Sequence, residues 1–217
     1  ILHHCLIYFM SEDCPQVTLQ DENESINLNQ LFKTKIKTDT NVVSFKIKDE
    51  EFELLHVKAE DIAINGNKLF FCAHNRLVET KELNKYITDL DRSIFIESGF
   101  WYIGVLRGKY LDDNVDMNRL SFNIPDGGFA KNLFGIISID QILEQAVKEI
   151  KLYLKEYLQP ISENKIKTIK SYVTNQAPQF RHLLKFKSDE IANIKPNLNE
   201  EKLDDELHRI KRAFDRE

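Results

Sequence analysis

The sequence predicts an α+β fold, a mixed sheet with a right-handed βαβ crossover, followed by a helical C-terminal region. Three observations predict it. Residues 43–57 alternate apolar and polar side chains about a charged turn, residues 68–109 read as strand, helix, strand, and residues 139–158 place apolar side chains at helical spacing. The 217 residues divide accordingly into a tail and linker over 1–30, an α+β domain over 31–135 and a helical region over 136–217.

The opening run from Ile1 to Met10 is apolar and reads as the end of a helix, stopped near Ser11, Asp13 and Pro15. It has neither the basic leader nor the small-residue cleavage site of a signal peptide, and it is too short to cross a bilayer. Beginning at Ile1 in such a run, the chain is expected to be an internal segment of a larger protein. Val17-Thr18-Leu19 reads as a short strand, and Asp21–Asn29 as a polar loop.

Val43, Phe45 and Ile47 alternate with Ser44, Lys46 and Lys48, and Phe52 to Val57 returns after Asp49-Glu50-Glu51, so this stretch predicts a hairpin. Asn65-Gly66-Asn67 marks a turn before the apolar strand Leu69–Ala73. Thr80 is placed to cap a helix carrying Leu83, Tyr86, Ile87 and Leu90. Trp101–Leu106 and Leu120–Ile124 read as two further strands, and the strand, helix, strand order sets the right-handed crossover. Beyond Ser138, a plausible cap, Ile139, Ile142, Leu143, Ala146, Val147, Ile150, Leu154 and Leu158 mark a long amphipathic helix ending before Pro160. A second helix runs through Ile166, Ile169 and Val173 to a break near Pro178, and short helical pieces follow around 181–186 and 199–214.

With 42% hydrophobic and 30% charged residues the chain is globular rather than disordered. Its three cysteines, Cys5, Cys14 and Cys72, are odd in number and form no CxxC pair, which argues against a disulfide framework or a zinc ribbon and for a reducing cytoplasm. The net charge of −5 is uneven: 15 basic against 21 acidic residues over 1–138, 9 against 5 over 139–187, and 6 against 9 over 188–217. Only the middle block is positive, a small excess for a nucleic-acid footprint.

Two segments carry a family resemblance. The first is Phe71-Cys72-Ala73-His74-Asn75-Arg76-Leu77-Val78, read as a strand, a turn and an Arg before a helix. The second is Leu111-Asp112-Asp113-Asn114-Val115-Asp116-Met117-Asn118-Arg119-Leu120-Ser121-Phe122, read as a loop delivering one basic residue to a strand. Both resemble the domain that follows the ATPase domain in the GHKL superfamily of DNA gyrase B subunits, MutL mismatch-repair proteins, histidine kinases and ninety-kilodalton heat-shock chaperones. In the mismatch-repair branch the first segment is similar to Asn-Gly-Arg-Pro-Val, where His74 to Val78 stands here. The second is similar to Val-Asp-Val-Asn-Val-His-Pro-Thr-Lys: Asp112, Asn114 and Val115 match, Arg119 falls at the Lys, and Asp116-Met117-Asn118 replaces His-Pro-Thr.

The resemblance implies a transducer fold, similar to the second domain of a ribosomal protein. It implies that Arg119 reaches the γ-phosphate of ATP held by the preceding domain, with Arg76 a second candidate that could instead hold a turn or domain interface. A cation placed on a γ-phosphate by a second domain makes docking depend on ATP versus ADP, and the guanidinium fork suits phosphate oxygens. ATP and Mg are expected in the full-length protein, with the upstream ATPase domain and a second copy as partners. The segment itself lacks the family's Glu and Asn helix, its Asp-x-Gly-x-Gly turn and its Gly-rich lid, and Gly127-Gly128 reads as a loop. No complete catalytic set or nucleotide pocket is therefore expected in the segment alone.

Competing readings stand beside these. Arg119 could be a solvated arginine paired with Asp112, Asp113 or Asp116. His3, His4, Cys5 and Cys14 have irregular spacing for zinc, and adjacent helical histidines point about 100° apart. Cys72 and His74 suggest a thiol nucleophile, but Cys72 sits in an apolar run and reads as a buried structural cysteine. Lys165, Lys167 and Lys170 with Tyr172 could contact nucleic acid or form a solvated helix face. The leading expectation is a coupling domain of a GHKL-type ATP-binding protein; the alternative is a non-enzymatic protein- or nucleic-acid-interaction module, with no membrane partner.

Overall fold

The computed structural model describes residues 8–9, 14–21, 24–59, 66–90, 99–127 and 136–216, with backbone alone for 35–40. Contacts divide the chain into a sheet unit, Ile1–Tyr86 with Arg92–Tyr153, and a helical unit, Ile87–Asp91 with Leu154–Glu217.

In the sheet unit, β1 (Thr18–Gln20) and β2 (Ser25–Asn27) form a small antiparallel pair, followed by helix α1 (Leu28–Lys35). The loop expected over 21–29 is thus replaced in part by a strand and a helix start. The local reason is Asn27, whose Oδ1 accepts the Gln30 N–H at 3.0 Å, the bond of a helix N-cap. Leu28 and Phe32 then face the core one helical turn apart.

The main sheet has five strands: β3 (Ile36–Ile47), β4 (Glu50–Ala59), β5 (Lys68–Ala73), β6 (Arg76–Glu82) and β7 (Trp101–Arg107), in the order β3-β4-β7-β5-β6. Only β5 and β7 run parallel, so the sheet is mixed and the α+β class holds. The alternating hairpin is in place: Val43 faces Leu54 and Phe45 faces Phe52 across β3 and β4. Its two-residue turn is Lys48-Asp49, one residue earlier than expected, with Lys48 at φ 55. Both faces of the sheet are covered. On one, Leu55, Val57, Ala59, Phe70, Cys72, Ile103 and Val105 pack with Leu28, Phe32 and Phe9. On the other, Phe52, Leu54, His56, Tyr102 and Leu106 are buried. Helices α2 (Lys109–Asp113) and α3 (Ile139–Tyr153) back this second face: Tyr110 meets Phe52 edge-on at 6.1 Å and Tyr153 stacks on His56 at 4.1 Å. Each fully buried aliphatic or phenyl side chain contributes about 1.5–3 kcal/mol, so these two layers dominate the unit's stability.

The helix expected from Thr80 is not formed. Residues 76–82 are instead the edge strand β6, and Leu83–Lys85 make a single 3-10 turn. The cause is the two-residue turn His74-Asn75, both in the left-handed region at φ 48 and 60, which folds the chain straight back on β5. Leu83, Ile87 and Leu90 are buried as the expectation required, but in turns. The strands β5 and β7 are parallel neighbours as a crossover demands, yet the link between them opens with a hairpin rather than a helix; 91–98 lies outside the described residues. Leu120–Ile124 is likewise not a strand: a single bridge, Val115 to Phe122, closes that loop.

Ser138 does cap α3. Its Oγ accepts the Gln141 N–H at 3.3 Å and Gln141 Oε1 accepts the Ser138 N–H at 3.1 Å, a reciprocal capping pair. The long helix expected to reach Leu158 stops at Tyr153, breaks at Leu154, and restarts as α4 (Lys155–Asn175), which runs through Pro160. Pro160 lies early in α4, where its missing N–H removes only one bond near the end of the helix.

The helical unit continues with a 3-10 turn at Pro178–Phe180, α5 (Arg181–Phe186), α6 (Ser188–Ala192) and α7 (Glu200–Phe214). The break near Pro178 and the two later helices fall where the sequence placed them. Ile169, Val173, Phe180, Leu183, Ile191, Leu203, Leu207 and Ile210 form the core. The segment 87–91 belongs to this unit, with Asp89 in an ion pair with the Lys165 ammonium.

Candidate functional site

The two segments that carry the resemblance meet at one end of the sheet. The β5–β6 turn presents the His74 backbone N–H, which donates to Asp112 Oδ1 of α2 at 2.6 Å. Phe71 of β5 meets Phe122 edge-on at 6.4 Å. From the other side the Tyr8 hydroxyl donates to the His74 carbonyl at 3.4 Å. Asp112 is therefore a positioning residue for this turn; the sequence pointed to it as a family match and as a possible partner of Arg119, and not to this role, because its partner is a backbone group 38 residues away.

The loop 114–123 is braced from within. Asn123 N–H donates to the Asn114 carbonyl at 2.7 Å and Asp116 N–H to the Ser121 carbonyl at 3.0 Å. The Asp116 carboxylate turns back into its own loop and accepts from Leu120 N–H at 2.6 Å and Ser121 N–H at 3.1 Å. Backbone donors, the Ser121 N–H first, hold the Asp116 carboxyl below its ordinary range. Both bonds fall on Oδ1, and among the described residues Asp116 forms no ion pair with Arg119.

Arg119 follows at φ 56, a left-handed conformation closed by its N–H donating to the Asp116 carbonyl at 2.9 Å. Its side chain is exposed, and among the described residues it pairs with none of Asp112, Asp113 or Asp116; Asp113 is held by Lys109. Met117 is fully exposed and Leu120 is 77% exposed on either side of it. Arg76 stands at the start of β6, exposed, one residue past the turn that Asp112 holds, and precedes a strand rather than a helix.

Other sequence candidates are placed differently. Cys72 is buried in the apolar layer and burial pushes its thiol up to about 12, while His74 sits in the turn rather than beside it on a strand. His3, His4 and Cys5 lie outside the described residues, among which no metal-holding group of His, Cys, Asp and Glu occurs. The Lys165–Tyr172 stretch is not one solvated face. The Lys165 ammonium is buried, paired with Asp89 and donating to the Ala192 carbonyl, and the Tyr172 hydroxyl donates to Asp204 at 3.0 Å. Lys167 and Lys170 remain exposed.

A buried polar group the sequence did not single out is His56, whose period-2 position in β4 turns it inward. Its Nδ1 lies 2.7 Å from the Tyr102 hydroxyl, and among the described residues Nε2 has no hydrogen-bond partner. Gly104 makes room for this pair, since a Cβ there would stand 3.1 Å from the Tyr102 hydroxyl and 2.9 Å from Leu69. Burial lowers the His56 pKa to about 4.

Among the described residues no helix is long and apolar enough to cross a membrane. No protein-family model, curated protein or solved structure matches this chain.

Proposed function

We propose that this chain is the transducer, or coupling, domain of a GHKL-type ATP-binding protein, with Arg119 as the residue that contacts the γ-phosphate. The observation that carries the reading is the tip of the 114–123 loop. Among the described residues it offers a cation that pairs with no carboxylate, flanked by exposed Met117 and Leu120, on a backbone that Asp116 stiffens. An apolar rim around such a cation gains by being covered, and a polyanion is the natural partner of its centre. The mixed sheet behind it, with parallel β5 and β7, serves in this reading as the transducer body. In this reading ATP and Mg are held by the preceding ATPase domain. Arg119 contributes charge and orientation there, and closure brings two copies together.

The test uses the parent protein with the sequence upstream of Ile1 included, about one domain of roughly 150–250 residues. ATP turnover and ATP-dependent dimerisation are measured for the wild type, Arg119→Ala and Arg76→Ala. Arg119→Ala is expected to lose turnover by about tenfold or more while keeping its thermal midpoint, since the side chain is exposed. A parent protein without ATP turnover, or an Arg119→Ala variant that turns over like wild type, would overturn the reading.

A further inference from the structure

Residues 165–187 contain six basic residues, Lys165, Lys167, Lys170, Arg181, Lys185 and Lys187, and no Asp or Glu, in a chain whose net charge is −5. Two of the six have carboxylate partners, Lys165 with Asp89 and Lys187 with Glu190. Among the described residues the other four, Lys167, Lys170, Arg181 and Lys185, pair with no carboxylate, and all four are exposed. Four cations without an ion-pair partner, with Glu163 beside Lys167 and Lys170, on a short stretch of an otherwise acidic protein suit a polyanion.

The four cations lie on two helices, α4 and α5. Lys167, Lys170 and Thr174 share one face of α4 at i, i+3 and i+7. Arg181 donates from Nη2 to the Thr174 carbonyl at 3.2 Å, which carries the track from the end of that face onto α5. Lys185 follows four residues later on the same face as Arg181. Beside α4 runs a groove of about 370 Å³ lined by apolar Leu198 and Leu203 as well as by Asn164, Lys167, Ser171 and Asn175, whose side chains can donate to phosphate and sugar oxygens. Glu200 also borders it, and its carboxylate accepts from Gln176 at 2.9 Å.

At the α5 end the track meets aromatic rings. Phe186 is 61% exposed, stacks on Phe214 at 6.1 Å with an interplanar angle of 14°, and Phe214 in turn meets His182 at 5.6 Å. The Lys185 ammonium stands over the Phe186 ring at 5.3 Å. A nucleobase has a flat π-face that can take the place of that ammonium. An acidic peptide would use the cations and leave the rings idle; a duplex would reach the cations but has no free base for Phe186.

We propose that the helical unit binds single-stranded nucleic acid, its phosphates along Lys167, Lys170, Arg181 and Lys185 and one base stacked on Phe186. The proposal is independent of the coupling function, because every residue in it belongs to the helical unit.

The 217-residue chain is titrated into fluorescein-labelled oligo(dT) and oligo(rU) of about 16 nucleotides at about 50 and 200 mM salt, and binding is read by anisotropy. Binding that weakens steeply with salt is expected, and the relative affinity of the two oligonucleotides tells DNA from RNA. Phe186→Ala should weaken binding about tenfold at both salt concentrations. Lys167→Ala with Lys185→Ala should lower the slope of log affinity against log salt by about 0.7 per lysine. All three positions are exposed, so circular dichroism should show native helix content in each variant. Absence of binding at the lower salt, variants that bind like wild type, or equal affinity for a blunt duplex of the same length would each overturn the proposal. The first of these would leave the surface to an acidic protein segment.

Discussion

The two units bury polar groups in opposite ways. Inside the sheet unit the buried pair is neutral, His56 and Tyr102 joined at 2.7 Å, and among the described residues it leaves one imidazole nitrogen without a hydrogen-bond partner. Inside the helical unit the buried group is an ammonium, Lys165, and it is matched by Asp89 and by the Ala192 carbonyl. A neutral group can tolerate an imperfect site at a cost of about 1–3 kcal/mol, whereas a buried ion without its partner costs about 3–5 kcal/mol, a large share of a small domain's stability. The sheet, with apolar layers on both faces, carries its flaw. The helical unit packs about an apolar cluster and holds the inserted segment 87–91 with an ion that has two partners, Asp89 and the Ala192 carbonyl.

The most direct way to break that comparison is Lys165→Met. Methionine fills the space of the lysine stem but leaves the Asp89 carboxylate without its cation, and a loss of about 3–5 kcal/mol is expected. Trp101 lies in β7 of the sheet unit and is the chain's single tryptophan, so its fluorescence reports that unit, while far-UV circular dichroism is weighted to the helices. Denaturant unfolding followed by both probes should show the circular dichroism midpoint falling further than the Trp101 midpoint. Replacing both partners, Lys165→Met with Asp89→Leu, should recover much of the loss. A single Lys165→Met variant as stable as wild type would mean the ion pair is ornamental.

These contrasts were partly legible in the chain. Period-2 patterning found β3, β4, β5 and β7 because their alternation or apolar runs are strong, and Ser138 announced α3 because a cap followed by Gln141 is a local code. The β6 error came from reading Leu83, Ile87 and Leu90 as a helical face when they are anchors of successive turns. The better local signal was Asn75 in a two-residue turn, followed by Val78 and Thr80, which favour a strand. Lys165 looked like its neighbours Lys167 and Lys170; its burial is set by Asp89, 76 residues away, and no local pattern carries that. For the candidate site, the motif residues were legible, but the bond from His74 to Asp112 and the bracing by Asp116 are tertiary facts.

A second measurement sharpens the sheet side of the comparison. The folded-state pKa of His56 is lowered to about 4 by burial, from 6.5 when exposed. Between those values the unfolded chain binds a proton that the folded chain does not, so stability falls as pH drops from about 6.5 to 4 and is fully present above 6.5. The contribution is on the order of 2–3 kcal/mol across that window. His56→Phe should flatten this part of the stability curve, at the price of an unpaired Tyr102 hydroxyl and a lower plateau at neutral pH. An unchanged slope between pH 4 and 6.5 in the variant would show that His56 is not the group that titrates.

The smallest effects test how each unit closes its helix ends. Ser138 is fully buried at the start of α3, and Asn199 is exposed at the start of α7, where its Oδ1 accepts the Lys202 N–H at 3.0 Å. The bond geometry is the same in kind, but water can replace a lost cap only at the exposed end. Ser138→Ala leaves the half-buried Gln141 N–H with no side-chain acceptor and should cost about 1–2 kcal/mol, read from the Trp101 transition. Asn199→Ala should cost about 0.5–1 kcal/mol, read from circular dichroism. Equal losses would mean that the buried cap is reached by solvent, and would remove burial as the feature that separates the two helix starts.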